Sequence, residues 1–315
     1  IYIRADGSIE PPTANITTVD NVTYYFTDNN YDEIVVERSN IVIDGAGYTL
    51  QGSGATDWEY RGIDLSGRSN VTIKNVKIKE FYHGIYLNSS DNNSLSGNNI
   101  ANNYDGVWLD YSGNNSLSGN NITANNDYGV CLYYSGNNSL SGNNITANNY
   151  YGVCLNSSDN NSLSGNNIAN NYDGVWLDYS GNNSLSGNNI TANNDYGVCL
   201  YYSGNNSLSG NNITANNGYG VCLYYSGNNS LSGNLFVNDG LLVYASYGNV
   251  VSDNLVNGKP LVYLEEVSDY VVEDAGQVIL VKCNNITVEN LNPSHTDVGV
   301  QLWHTNSTRI SGNNI

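Results

Sequence analysis

The chain has 315 residues with 29 acidic and 10 basic side chains, a formal net charge of −19, and no lysine or arginine between Phe81 and Gly258. This balance excludes nucleic acid and anionic membranes as partners, since both need cationic side chains to neutralise phosphate. No apolar run approaches the roughly 20 residues of a membrane helix, so no span is expected.

Residues 1–40 read as an N-terminal cap or extension. The chain opens Ile1-Tyr2-Ile3 without a signal peptide, and the expectation is that a leader has been removed. Eighteen N-x-S/T sequons favour an extracellular or cell-surface location. They lie at Asn15, Asn21, Asn70, Asn88, Asn92, Asn114, Asn121, Asn137, Asn144, Asn156, Asn160, Asn182, Asn189, Asn205, Asn212, Asn228, Asn285 and Asn306, and all are candidate N-glycosylation sites. Copying one Asn-rich repeat would also create sequons in bulk.

Residues 41–258 form the regular part. The text from Asp91 to Ser158 begins again at Asp159 with few changes. Inside both copies, the leucine of S-L-S-G-N recurs at Leu95, Leu117, Leu140, Leu163, Leu185, Leu208 and Leu231, 22 or 23 residues apart. A fixed period of this length marks a solenoid whose repeats bury their apolar faces by stacking on neighbours. Val130 and Leu132 alternate around Cys131, which is strand periodicity, and Asn, Gly and Ser clusters supply the bends. No segment has the spacing of a surface helix. The fold expected is all-β, a single-stranded parallel β-helix (solenoid) of about 12 turns with an N-terminal cap. Like residues should then stack about 4.8 Å apart, and bend asparagines should form amide ladders. The change from 22 to 23 residues is assigned to Thr123, which has no counterpart after Ile100. Residues 259–315 continue as degenerate turns and stop at Ile315 in mid-unit. An open coil end there would either continue in a longer chain or pair with another molecule.

Ile41-Val42-Ile43-Asp44-Gly45-Ala46-Gly47 and Gly62-Ile63-Asp64-Leu65, with the later G-[IV]-x-L and N-S-L-S-G-N-N-I units, resemble the right-handed parallel β-helix repeats of the NosD-type and carbohydrate-binding/sugar-hydrolase group. Within that group the chain looks most like large archaeal surface proteins. The resemblance implies a right-handed coil. It points weakly to activity, because the group includes lyases, hydrolases, epimerases, adhesins and structural proteins.

Catalytic residues are not assigned. Asp44-Gly45 and His83-Gly84 echo polygalacturonase fragments, but paired aspartates and an Arg-x-Lys segment are missing, and His83 reads as a surface residue at a bend. Asp105 and Asp110 share a turn, yet they recur as Asp173 and Asp178, which marks them as repeat features. No cofactor and no metal are expected: methionine is absent, and His83, His295 and His304 are scattered.

The position between inward Val and Leu makes an outward column of Tyr86, Trp108, Cys131, Cys154, Trp176, Cys199 and Cys222, flanked by Tyr133, Tyr201 and Tyr224. Together these form the candidate interaction face. Cys131, Cys154, Cys199, Cys222 and Cys283 are candidates for disulfides or cross-links, with free thiols as the alternative. The leading expectation is an extracellular, non-catalytic structural or adhesive protein self-associating into a filament, sheath or surface layer. The competing expectation is a carbohydrate-active enzyme or carbohydrate-binding module acting on polysaccharide, with a non-repeated groove near Arg61 to Lys79 or Lys259 to Lys282.

Overall fold

Short alternating strands carry one apolar stripe each, and Asn-, Gly- and Ser-rich bends return the chain to its starting line. In the computed structural model, which describes residues 1–54 and 57–314, these strands build a parallel β-solenoid. The protein is all-β, with no helix among the described residues. It divides into two compact units, residues 1–172 and 173–315. Ile315, where the open coil end was expected, lies outside the described residues.

The first unit has three sheets. The first sheet contains His83–Asn88, Asp105–Asp110, Val130–Tyr133 and Tyr151–Asn156, paired in parallel. The second is built from Ser-Leu-Ser strands such as Ser94–Ser96 and Ser116–Ser118, and the third from Asn99–Ala101, Asn121–Thr123 and their successors. Leu95 faces Leu117, which faces Leu140, and Ile100, Ile122 and Ile145 align in the same way. All six are fully buried. Each such side chain contributes about 1.5–3 kcal/mol of burial free energy. At the N-terminal end, Tyr2–Ile3 pairs antiparallel with Ile9–Glu10 and parallel with Ile34–Val36. Ile16–Thr17 likewise folds back on Thr23–Phe26, so strand edges here are closed by the chain itself.

In the second unit, Asp173–Asp178, Val198–Tyr201, Val221–Tyr224 and Leu241–Tyr244 form the first sheet. A reversal at Asn257-Gly258 sets Leu255–Val256 antiparallel to Lys259–Glu265, after which parallel stacking resumes through Gln277–Val281 and Val300–Trp303. Val278, Leu280, Ile286 and Val288 fill its interior.

The amide ladders form as expected. Oδ1 of Asn143 accepts from both the backbone N–H and the side-chain amide of Asn120, each at 3.0 Å. Nδ2 of Asn143 donates in turn to Asn166 Oδ1 at 3.0 Å and to the Leu117 carbonyl at 2.9 Å. Such a rung satisfies a buried backbone donor and a buried carbonyl that turn geometry would otherwise orphan.

The extra residue of the longer turns is not Thr123. Ala101 pairs with Thr123, and Asn103 bonds Asn125 in the same ladder, so no residue is added up to that point. The addition falls in the next bend: three residues separate Asn125 from Gly129, where two separate Asn103 from Gly106. Gly129 cannot move to absorb it, because a Cβ there would lie 2.6 Å from the Gly152 carbonyl oxygen. The bend therefore widens outward, carrying Asp127 and Tyr128 onto the outer side of the first sheet.

Candidate functional site

Parallel register places His83 beside Asp105, Tyr86 beside Trp108, and Asn88 beside Asp110 on the first sheet of the first unit. The widened bend brings Asp127 and Tyr128 over the same area, and Trp58 supplies a wall from the preceding loop. These residues enclose a cleft of about 390 Å³.

His83 lies at its floor. It is 5% exposed, so it is not the surface bend residue that its place before glycine suggests; neighbouring rings cover it. Tyr82 meets the imidazole edge-on at 4.8 Å, while Tyr86 and Trp108 lie at 5.2 and 5.3 Å. His83 Nδ1 is 3.0 Å from Asp105 Oδ2 but off the line of a hydrogen bond, leaving a buried polar atom without a hydrogen-bond partner. The other oxygen of Asp105 accepts the Tyr128 backbone N–H at 3.2 Å. Asp173 does the same for Tyr196 at 2.8 Å, so this carboxylate has a bend-holding role in both copies of the repeat.

The rim is aromatic and acidic. Tyr82 stacks on Tyr104 at 4.4 Å, and Trp108 contacts Tyr128 at 5.9 Å. Burial, with Asp105 close by, pushes the Asp127 carboxyl up to about 6. Asp110 is also raised by burial; Asn88 donates to one of its oxygens at 2.9 Å, and the other has no hydrogen-bond partner. The only cation against these rings among the described residues is Arg61, stacked 3.8 Å over the Tyr86 ring and paired with Asp64 at 2.7 Å. The constellation is not repeated: the position of His83 is held by Tyr151 one turn before Asp173, and Trp58 has no counterpart.

The expected interaction column keeps its register within each unit: Tyr86, Trp108, Cys131 and Cys154 follow one another, as do Trp176, Cys199 and Cys222. Its exposure differs from expectation. Tyr86 and the four cysteines are buried, Trp108, Trp176, Tyr201 and Tyr224 are half-buried, and Tyr133 is exposed. Tyr128 and Tyr196 lie close to the two cysteine pairs, and burial pushes the Cys131 thiol up. All five cysteines are free thiols. Cys283 is enclosed in the second unit's core, its sulfur against the Leu264 and Val281 carbonyls at 3.3 and 3.4 Å. No cysteine sulfur is therefore offered to a second molecule.

In N-N-S the first residue (Asn92, Asn114, Asn137) is exposed at a positive φ, while the second is a buried rung. In N-N-I-T the first is the buried rung, and the sequon asparagines make an outer amide row, Asn144 donating to Asn121 Oδ1 and Asn212 to Asn189 Oδ1 at 2.7 Å each. Most lysines near the alternative groove regions face carboxylates: Lys74 pairs with Asp44 at 3.3 Å and Lys282 with Glu266 at 3.2 Å.

Residues 17–199 match the family described as periplasmic copper-binding protein (NosD), and residues 139–315 match the right-handed β-helix region family. The coil is accordingly right-handed. Copper does not fit the residues present: methionine is absent, and no group of three His, Cys, Asp or Glu side chains among the described residues is placed to hold a metal ion. No curated protein matches the chain. Among solved structures, the Azotobacter vinelandii mannuronan C-5 epimerase AlgE6 A-module is similar with a TM-score of 0.62 and 16% identity, over 94% of this chain and 82% of that one. The Dettilon tailspike protein gives 0.62 and 14%, over 81% and 66%. The periplasmic alginate epimerase AlgG, as a double mutant, gives 0.60 and 16%, over 98% and 83%. Identities this low show a common fold only. Among the described residues no helix is long and apolar enough to cross a membrane.

Proposed function

We propose that this chain, which belongs to the NosD family of right-handed β-helix proteins, acts outside the cytoplasm as a carbohydrate-binding protein whose ligand lies in the cleft over His83 and Trp108. The observation that carries this reading is a half-open aromatic trough floored by polar atoms that lack hydrogen-bond partners. Sugar rings present an apolar face to Trp or Tyr and hydroxyls to carboxylate and imidazole, which is what these walls and this floor supply. Two of the similar solved structures are named as epimerases of mannuronan and alginate, which agrees with a polysaccharide ligand on this fold. A glycan array followed by titration of the best ligand tests the reading. Trp108→Ala should weaken binding about tenfold or more, about 1.4 kcal/mol. Binding that Trp108→Ala leaves unchanged, or none to any glycan, would refute it.

A second reading, self-association, rests on separate residues. Tyr111 and Tyr134 in the first unit, and Tyr179, Tyr202 and Tyr225 in the second, are exposed although their backbones lie in the left-handed region at φ 47–49°. A large side chain there costs about 1 kcal/mol or more. Their rings stack in nearly parallel planes with centroids 5.0–5.2 Å apart. Strained, exposed and mutually stacked rings suit a contact surface for a second copy. Sedimentation at high concentration, with the three tyrosines of the second unit changed to glycine, would show whether association depends on them.

A further inference from the structure

We propose that the sugar taken by this cleft is positively charged, an amino sugar with a free protonated amine. This rests on the carbohydrate-binding reading above and names its substrate class.

Charge provides the first argument. Asp105, Asp110 and Asp127 line the cleft, and none of its walls carries a lysine or arginine. Arg61, the nearest cation, is already held by Asp64 and the Tyr86 ring. A uronate would bring a carboxylate against three others with no partner, whereas an ammonium would find partners on two sides of the cleft.

The rings provide the second argument. Trp58, Tyr82, Tyr104 and Trp108 present π faces or edges to the same space, and a cation over such a face is attracted by its quadrupole. Arg61 over Tyr86 is the same interaction made within the chain, at the cleft's margin.

The floor provides the third. Asp110 Oδ1, a buried acceptor of a cleft-lining residue, has no hydrogen-bond partner, and Asp105 beside it holds its Oδ2 against the 95% buried His83. A buried acceptor without a donor is costly, and an ammonium supplies up to three donors. Burial and the closeness of Asp105 hold the Asp127 carboxyl high, a condition that an arriving cation relieves.

The experiment is isothermal titration of the full chain at pH ~6, low enough that a sugar amine, less basic than an α-amino group because of its neighbouring oxygens, is mostly protonated. Probes of matched length are oligomers of glucosamine, N-acetylglucosamine, cellobiose-type glucose and mannuronate. The free-amine oligomer should bind about tenfold or more tightly than the neutral ones. Asp127→Asn and Asp110→Asn should weaken free-amine binding more than neutral-sugar binding and so reduce that preference. Equal affinity for acetylated and free-amine oligomers, or tightest binding of oligomannuronate, would overturn the amino-sugar assignment and leave carbohydrate binding standing. A preference that survives unchanged in Trp108→Ala would be long-range attraction to an acidic chain and would also overturn it. Silence from all four probes would remove the carbohydrate-binding reading itself.

Discussion

Asp239 ends an asparagine ladder in the second unit, and replacing it with asparagine should stabilise the protein above neutral pH. Asn193 donates to Asn216 Oδ1 through its backbone at 3.1 Å and its amide at 2.8 Å, and Asn216 repeats this on Asp239 Oδ2 at 3.1 and 2.9 Å. In each earlier rung Nδ2 also donates to a carbonyl of the preceding turn, as Asn216 does to Ile190 at 3.3 Å. Asp239 has an oxygen, Oδ1, where that amide would be; it is fully buried and unpartnered. Burial pushes this carboxyl up to about 7. With a folded-state pKa above the unfolded value, its stabilising contribution is fully present below about 3.9 and is lost progressively as pH rises from there through about 7. Below that point the carboxyl O–H can donate as an amide would. The shift from about 3.9 sets a ceiling of roughly 4 kcal/mol, and an orphaned buried acceptor costs about 1–3 kcal/mol, so the smaller range is the expectation. Urea titrations of both proteins at about pH 4 and pH 8 should show little difference in acid, where the carboxyl is still largely protonated even in the unfolded chain, and a gain of about 1–3 kcal/mol for Asp239→Asn in base. A variant equal to or weaker than the parent at pH 8 would refute the ladder-end argument.

Asn143→Ala removes a rung that four ladder hydrogen bonds depend on, orphaning the Asn120 N–H and the Leu117 carbonyl. A loss of about 3–5 kcal/mol in the same urea assay is expected. Tyr134→Gly relieves a left-handed backbone but forfeits the ring stack on Tyr111, so stability should change by less than about 1 kcal/mol by thermal melting. The five buried thiols should resist a water-soluble alkylating reagent in the native protein and react fully in denaturant, read by intact mass. Rapid native labelling of Cys131 or Cys154 would contradict their placement under Tyr128.

The fold was legible because one period governs the chain: Leu95, Leu117 and Leu140 could be stacked from spacing alone. The ladders were legible too, since asparagines recurring at bends have few other ways to satisfy buried amides. The site was harder to read. Aligning H-G-I-Y-L with D-G-V-W-L sets His83 directly beside Asp105, a signal present in the text but obscured by treating the residue before glycine as a bend. The widened turn was placed at Thr123 because spacing gives the length of a turn and not where its extra residue bulges. Alternation aligned the cysteines in register with Trp108 and Trp176; it could not show that they would be buried, with Tyr128 and Tyr196 from the widened bends close to them. Trp58 belongs to no repeat, so no periodic argument reaches it.

The account rests on a ligand occupying the cleft in the first unit and no equivalent place in the repeat. Hydroxyl-radical footprinting with mass spectrometry, with and without saturating oligosaccharide, measures this directly, because Trp176 is the repeat counterpart of Trp108 and serves as an internal control. Protection of Trp58, Tyr104 and Trp108 with Trp176 and Tyr179 unchanged is the predicted result. Equal protection at Trp108 and Trp176, or none at either, would contradict it.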